Sequence, residues 1–211
     1  MSFKAVAVCT FFCGHTTAEI VSTVGAAEIT PPPSVQPGAI ESNTQAFIFR
    51  ENPGFQLAVD LDIDISQSGT VTSSPATPGT IAAGTAIESY YLQFDKVGET
   101  AAFATANGSV TFNREILGLI VFNDGLDATD SILGSSATLY PTASPNRGII
   151  AEQRGNDSLT LTADRKTLQF TLETANRVDS LRIITVPEPN ALLLSSIALL
   201  GGFLLRRRDA V

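Results

Sequence analysis

The residues best suited to chemistry are three carboxylates in one turn, Asp124, Asp127 and Asp130, which follow Asn123 in the chain. Carboxylate oxygens are preferred calcium ligands, and a calcium ion takes roughly 6–8 oxygen atoms. Their spacing differs from the D-x-[DN]-x-[DN]-G loop with a distal glutamate that EF-hands use. A calcium site at these residues is one prediction. The alternative is a turn that leads into one helical turn over 127–133, with Asp127 as its N-cap.

A second acidic row, Asp60, Asp62 and Asp64, alternates with apolar residues along the predicted strand 55–65. Successive members of such a row lie about 7 Å apart on one face of the strand. Their mutual repulsion must be compensated by water or by a cation. Three carboxylates in a line cannot surround one ion without ligands from elsewhere, so the pattern favours a solvated strand face.

Cysteine and histidine are confined to the N-terminal end, where Cys9, Cys13 and His15 lie on an apolar segment. If that segment is a removed signal peptide, the mature chain has neither residue type. Disulfides, thiol catalysis, histidine triads and ordinary zinc sites are then excluded. A metal cluster of these three residues is the alternative. A glycosidase needs two carboxylates about 5–10 Å apart in a cleft, but no feature selects a pair. We therefore expect no enzyme and, apart from the calcium ion considered above, no cofactor.

The chain is acidic, with twenty acidic and nine basic residues between Glu19 and Asn190. Such a surface repels phosphate backbones, so we expect no nucleic-acid partner. It is compatible with divalent cations or simply with solubility. The aromatic residues Tyr90, Tyr91 and Phe94 lie close together on one strand. They could stack on sugars, but alternating aromatic residues in a strand more often form a core.

The C-terminal tail combines a proline-rich triplet, an apolar run and a basic end. The apolar run 191–205 has fifteen residues without a charge. As a helix it would cover roughly 22 Å, which is short for a hydrocarbon core of about 30 Å. The basic residues that follow should stay cytoplasmic by the positive-inside rule. They are Arg206, Arg207 and Arg208.

This tail resembles the PEP-CTERM sorting signal of Gram-negative bacteria. The motif residues that carry the resemblance are Val186, Pro187, Glu188 and Pro189. The resemblance implies recognition by an exosortase, a membrane transpeptidase, followed by release or transfer to the cell surface or its exopolysaccharide. The alternative is an ordinary C-terminal membrane anchor after a proline-rich linker.

The N-terminal end predicts a signal peptide over residues 1–18, with Lys4 before a short apolar core. Thr16 and Ala18 form a small-x-small cleavage site, and Ala27 offers a second one. Residues 28–44 contain several prolines and predict an extended leader. The sorting signal of residues 187–211 completes the predicted domain organisation.

The body of the chain, residues 45–186, shows many short segments of period two and no long helical period. This pattern predicts an all-β domain, an antiparallel β-sandwich of jelly-roll or Ig-like type. The clearest strand predictions are 55–65, 87–96, 116–123, 181–186 and a hairpin of 159–162 with 168–172.

We therefore expect an exported, non-enzymatic protein of the cell surface or the exopolysaccharide matrix. Its precursor would be held in the inner membrane until an exosortase processes it. The alternative is a surface module that binds carbohydrate or calcium.

Overall fold

A computed structural model describes residues 19–72, 77–98, 100, 102–144, 147–149 and 156–187. Within them lie one helix, α1 (Asn123–Leu133), and twelve strands. The predicted signal peptide 1–18 and the tail from Glu188 onward lie outside the described residues. The strands are β1 (Ile20–Val24), β2 (Ala26–Glu28), β3 (Ala46–Gln56), β4 (Leu61–Ile63), β5 (Gly69–Val71), β6 (Gly79–Ile81), β7 (Ala86–Asp95), β8 (Ala104–Phe112), β9 (Ile116–Ile120), β10 (Ser158–Leu161), β11 (Thr167–Thr174) and β12 (Val178–Thr185).

The strands form two five-stranded sheets and one small pair. The outer sheet has the order β1-β8-β11-β10-β5, and the central sheet has the order β2-β3-β7-β12-β9. Strands β4 and β6 form the small pair. Among the described strands only β2 and β3 pair in parallel. The prediction of a β-rich fold built from antiparallel sheets is confirmed.

The two large sheets share one apolar core. Val110, Leu168 and Phe170 of the outer sheet belong to the same buried cluster as Leu92 and Ile183 of the central sheet. Alternate residues of a strand point to opposite faces, so the period-two pattern supplies each sheet with the apolar face that it buries here. The finer assignment to a jelly-roll or Ig-like type stays a prediction.

The opposite face of the central sheet is covered as well. A second apolar cluster joins Tyr91 and Ile184 of that sheet to Leu126 and Leu133 of α1, and to Val35 of the proline-rich segment. Every residue of β12 is therefore buried. A sheet covered on both faces explains why its strands contain nearly continuous apolar runs.

The predicted long strand 55–65 is wrong, because the chain leaves the sheet after β3 and pairs again only in β4. Between them, the Leu57 amide donates to the Thr85 carbonyl and the Leu57 carbonyl accepts from Gly84. Val59, which the alternation placed on the apolar face, is 60% exposed. Local turn contacts with the segment before β7 override the period-two pattern here.

The helix begins one turn earlier than predicted, at Asn123, and Asp127 lies inside it. Its N-cap residue Phe122 makes no side-chain capping bond. Instead, Asp64 Oδ2 accepts from the backbone amides of Val121 (2.7 Å) and Phe122 (3.0 Å). A carboxylate distant in sequence supplies the interactions that a local cap would have given.

The predicted domain start at residue 45 is also too late. Strand β1 pairs with β8 in the outer sheet, and β2 pairs with β3 in the central sheet. Within the predicted leader 28–44, Val35 is fully buried and its amide donates to the Leu139 carbonyl. This proline-rich segment is part of the folded domain, because Val35 completes the second apolar cluster.

Candidate functional site

The strand that precedes the sorting motif, β12, is an internal strand of the central sheet, and all of its residues are buried. All eight residues of β12 pair with β7, and four of them also pair with β9 on the other side. A strand paired on both edges and covered on both faces cannot leave the sheet without breaking the core around it. The motif is thus attached to a part of the domain that opens only when the domain unfolds.

The sorting motif residues begin at Val186, directly after Thr185, the last residue of β12. The Val186 amide donates to the Glu115 carbonyl at 3.0 Å, and Val186 and Pro187 are half-buried. Proline has no amide hydrogen, so this pairing cannot continue through Pro187. The motif therefore leaves the folded domain at Val186–Pro187 without an intervening linker.

The rest of the predicted signal lies outside the described residues. This holds for Glu188, Pro189, the apolar segment 191–205 and the basic end Arg206, Arg207 and Arg208. Among the residues that the structure does describe, no helix has the length and apolar character needed to cross a bilayer.

A buried ionic network lies on the covered face of β12. Arg182 is fully buried and uses all of its five N–H groups. Two of them bind the Glu51 carboxylate, with Nε 3.0 Å from Oε2. The others reach Leu126 O (2.7 Å), Thr129 Oγ1 (2.8 Å) and Asp130 Oδ1 (2.7 Å). One guanidinium group thereby joins β3, β12 and α1.

A second arginine extends this network. Arg147 is fully buried, and its Nη1 lies 2.8 Å from Asp127 Oδ1 and 2.6 Å from Asp130 Oδ2. Its Nη2 donates to Asp130 Oδ1 and to the Tyr91 hydroxyl. Its carbonyl accepts from the Ser180 amide at 2.9 Å. The loop that contains Arg147 is therefore held on both α1 and β12.

Aromatic rings complete the enclosure of the two cations. The Arg182 Cζ atom lies 5.4 Å from the Tyr91 ring centroid and 5.2 Å from that of Tyr140. The Arg147 Cζ atom lies 5.9 Å from the Tyr91 centroid. Desolvated cation–π contacts of this kind are worth up to about 2 kcal/mol each. We refer to Glu51, Tyr91, Asp127, Asp130, Tyr140, Arg147 and Arg182 as the arginine network.

The surroundings in the network shift the pKa values of two of its members, Asp130 and Tyr91. Burial alone would raise the pKa of Asp130, but hydrogen bonds from Arg147 and Thr142 and the charge of Arg182 outweigh burial and lower it. Burial raises the pKa of the Tyr91 hydroxyl even though both guanidinium groups oppose this. The Asp130 carboxylate therefore stays charged, as an acceptor of hydrogen bonds from two guanidinium groups must be. The Tyr91 phenol stays neutral while its ring contacts the same two groups.

The structure places the predicted calcium ligands around the guanidinium groups. Asp127 and Asp130 bind Arg147 and Arg182, and the second Asp127 oxygen accepts from the Ala143 amide. Asp124 is exposed on the first turn of α1. Across the described part of the chain, no group of three or more His, Cys, Asp or Glu residues is arranged to hold a metal ion.

The three carboxylates of the second acidic row make separate contacts. Asp60 Oδ1 accepts from the Ala83 amide, Asp62 Oδ1 accepts from the Thr80 hydroxyl, and Asp64 supports the start of α1. Each carboxylate serves a different local contact, since β4 is only three residues long. These side chains do not act as one unit.

The aromatic residues considered for sugar stacking are core residues. Tyr90, Tyr91 and Phe94 are at most 2% exposed. Tyr90 packs against Phe112 between the sheets, whereas Tyr91 packs against Phe49 and Tyr140 under the helix. None of the three rings presents a face to a soluble sugar.

Sequence reasoning missed the arginine network. An available signal was Arg182, which stands in the otherwise apolar predicted strand 181–186. A charge in a strand buried on both faces requires a partner. Its partner Glu51 is 131 positions away in the sequence, and no local pattern identifies it.

Comparison with known protein families identifies a motif at the C-terminal end of the chain. The family model described as the PEP-CTERM protein-sorting motif matches residues 185–208. This match spans the predicted triplet, the apolar segment and the three arginines. No curated protein and no solved structure matches the chain.

The matched range begins at Thr185, the last residue of β12. A PEP-CTERM motif is the signal that an exosortase recognises, and it implies an exported, membrane-anchored precursor that is processed for the cell surface. The chain is thus a protein with a C-terminal PEP-CTERM sorting motif, joined directly to an internal strand of a β-rich domain.

Proposed function

We propose that this protein is a non-enzymatic component of the cell surface or of the extracellular exopolysaccharide matrix. It reaches that place as a precursor held in the inner membrane, from which an exosortase releases or transfers the folded domain. The observation that carries the proposal is the sorting motif at 185–208, whose first residue is the last residue of β12.

The structure of the domain supports a role as cargo. Because β12 pairs with β7 along its whole length and with β9 near its C-terminal end, we expect a pull on the motif to act on an internal strand rather than on a loop. The arginine network fixes that strand to β3 and α1 with charge-assisted hydrogen bonds, which are roughly twice as strong as neutral ones. A domain of this kind stays folded while its C-terminus is attached, cut or transferred.

The non-enzymatic part of the proposal is supported by how the polar groups are used. Arg147 and Arg182 are fully buried and bind carboxylates of the domain itself. Their charge therefore stabilises packing instead of facing a substrate. The carboxylates of the two acidic rows are used in the same way, since Asp127 and Asp130 bind these guanidinium groups and Asp64 accepts from the backbone amides at the start of α1.

The decisive experiment replaces Pro187, Glu188 and Pro189 with alanine in the full-length protein of the native host. We expect the precursor to accumulate in the inner membrane, with loss of the surface form, because the exosortase no longer recognises the tail. Fractionation with immunoblotting measures the distribution, and intact-mass spectrometry reports whether the C-terminus was cut.

A matched control is Pro31→Ala with Pro37→Ala, which removes two exposed prolines from the body of the domain. This variant should be sorted like the unmodified protein. Unchanged surface delivery of the alanine-triplet variant would overturn the proposal.

A further inference from the structure

Both ends of the folded domain are held by the same turn. This turn, Asn113 to Glu115, connects β8 to β9. The Glu19 amide donates to Asn113 Oδ1 at 2.9 Å, and the Asn113 amide donates to the Glu19 carbonyl at 3.0 Å. The Val186 amide donates to the Glu115 carbonyl at 3.0 Å. The chain thus enters and leaves the domain at one place.

The segment that follows Glu19 crosses from one large sheet to the other. Strand β1 is an edge of the outer sheet, and β2 is an edge of the central sheet. Gly25 connects them with a φ of +61°, and a Cβ atom there would lie 1.9 Å from the Asn107 carbonyl oxygen. Only glycine fits this crossing, since both the backbone angle and the space exclude a side chain.

The crossing segment also closes the core on one side. Ala26 is 9% exposed and belongs to the apolar cluster between the sheets, and Ile20 packs against that cluster. The Gly25 carbonyl accepts from the Ala46 amide at 3.0 Å. Residues 20–28 are therefore structural parts of the domain.

These contacts discriminate between the two candidate cleavage bonds of the signal peptide. Cleavage after Ala27 would remove β1 and most of β2, and it would leave β8 as an unpaired edge beside an open core. Cleavage after Ala18 leaves the whole crossing segment in place. It also leaves Glu19, the first residue that binds Asn113.

We propose that the N-terminal processing site is the Ala18–Glu19 bond, so that Glu19 as the mature N-terminus and Val186 at the start of the sorting motif both lie at the Asn113–Glu115 turn. This inference rests on the proposed function, because it requires export. A signal peptidase uses water to hydrolyse the bond. The Ala18 C–Glu19 N bond breaks as the water supplies hydroxyl to the Ala18 carbonyl carbon and hydrogen to the Glu19 nitrogen. The new carboxyl group releases its proton and the new amine takes one up, so Glu19 begins with an α-ammonium group that can still donate to Asn113 Oδ1.

The consequence is that Glu19 and Val186, the first and one of the last described residues, lie at the same end of the domain. The signal peptidase and the exosortase then act at one end, and the loop between β7 and β8 lies at the other end of β7 and β12, where Asp95 pairs with Val178. We therefore assign the Asn113–Glu115 turn to the end of the precursor that faces the processing enzymes.

The test is the intact mass and N-terminal sequence of the full-length protein after export from its native host. We expect Glu19 as the first residue. A protein that begins at Glu28, or one that retains Met1, would overturn the inference. The C-terminal mass is read from the same spectrum, so a failure of sorting is seen separately from a wrong N-terminal site.

Two variants sharpen the test. Ala18→Arg places a large charge before the proposed bond, and we expect loss of the cleaved form with accumulation of precursor. Ala27→Arg makes the same change at the alternative site, on a residue that is only half-buried, and it should leave processing unchanged. The opposite pattern of sensitivity, or cleavage of both variants, contradicts the assignment.

Discussion

The two faces of the central sheet are buried by different means. Towards the outer sheet, side chains such as Leu168 and Ile183 form an apolar core. Towards α1, Arg182 and Glu51 are equally buried but are held by ion pairs and hydrogen bonds. An apolar face can accept several packings, whereas buried ion pairs require particular partners, so we expect the face under α1 to specify which elements come together.

A further contrast concerns the carboxylates on these two faces. Asp130, under α1, is bound by two guanidinium groups. Asp179 of β12 is 7% exposed, and its Oδ2 has no hydrogen-bond partner among the described residues. Burial, followed by the charges of Asp157 and Asp95, raises the pKa of Asp179 well above its ordinary value. The same residue type thus stabilises one face and weakens the other at neutral pH.

The largest effect should come from Arg182→Ala. This change leaves Glu51 buried without its main partner, and breaking a buried pair in this way costs about 4 kcal/mol of unfolding free energy. Chemical denaturation of the domain measures the loss. Arg177→Ala, which removes an exposed arginine just before β12, should change stability little. Equal effects of the two variants would show that the network does not specify the packing of α1.

Leu168→Ala should cost somewhat less, about 3 kcal/mol, because it leaves a cavity in the apolar core between the sheets. Gln169→Ala on the same strand points to solvent and serves as the control. Thermal unfolding followed by circular dichroism gives the difference between the two. If Leu168→Ala lowered the unfolding free energy more than Arg182→Ala does, the apolar core would contribute more to stability than the ionic face.

Asp179→Asn should raise Tm in a pH-dependent manner. Because the folded state holds a proton on Asp179 at pH values where the unfolded chain has lost it, stability falls as pH rises from about 4 through the raised pKa. The asparagine variant avoids this loss, so its advantage should be largest at pH 8 and vanish below about pH 4. Asp124→Asn on the exposed helix start is the control. An advantage that is independent of pH would exclude titration of Asp179 as its cause.

Calcium should have the smallest effect, with no shift of Tm at millimolar concentration relative to EDTA. The two carboxylates that a cation would need most, Asp127 and Asp130, already bind Arg147. A calcium-dependent rise in Tm that disappears in Asp124→Asn would contradict this expectation and would restore the calcium site considered from the sequence.

Much of the strand content could be predicted. The hairpin of β10 and β11 agrees with the sequence pattern, since both strands alternate between buried and less buried residues. Strand β7 was predicted within one residue at each end, whereas β12 begins at Val178, three residues before the predicted start. Strand β9 was predicted from its continuous apolar run, and its position at the edge of a doubly covered sheet explains that run. These predictions succeed because the pattern reports burial directly.

Other elements could not be predicted from local pattern. The start of α1 depends on Asp64, which is more than fifty positions away in the chain. The proline-rich segment is structural because Leu139 binds Val35 on the far side of the domain. Hydrophobic periodicity and composition describe one segment at a time, so they cannot predict contacts between segments that are distant in sequence.

The sequence by itself determined the sorting motif, the β-rich class and the absence of histidine and cysteine after residue 15. A sorting motif can be identified from sequence because its defining features are contiguous in the chain. Only the tertiary structure decided that Arg182 binds Glu51 and that Glu19 and Val186 meet one turn. The physical reason is that buried charges and chain ends are held by partners that are distant in sequence and that only folding brings together. A local sequence pattern cannot identify such partners.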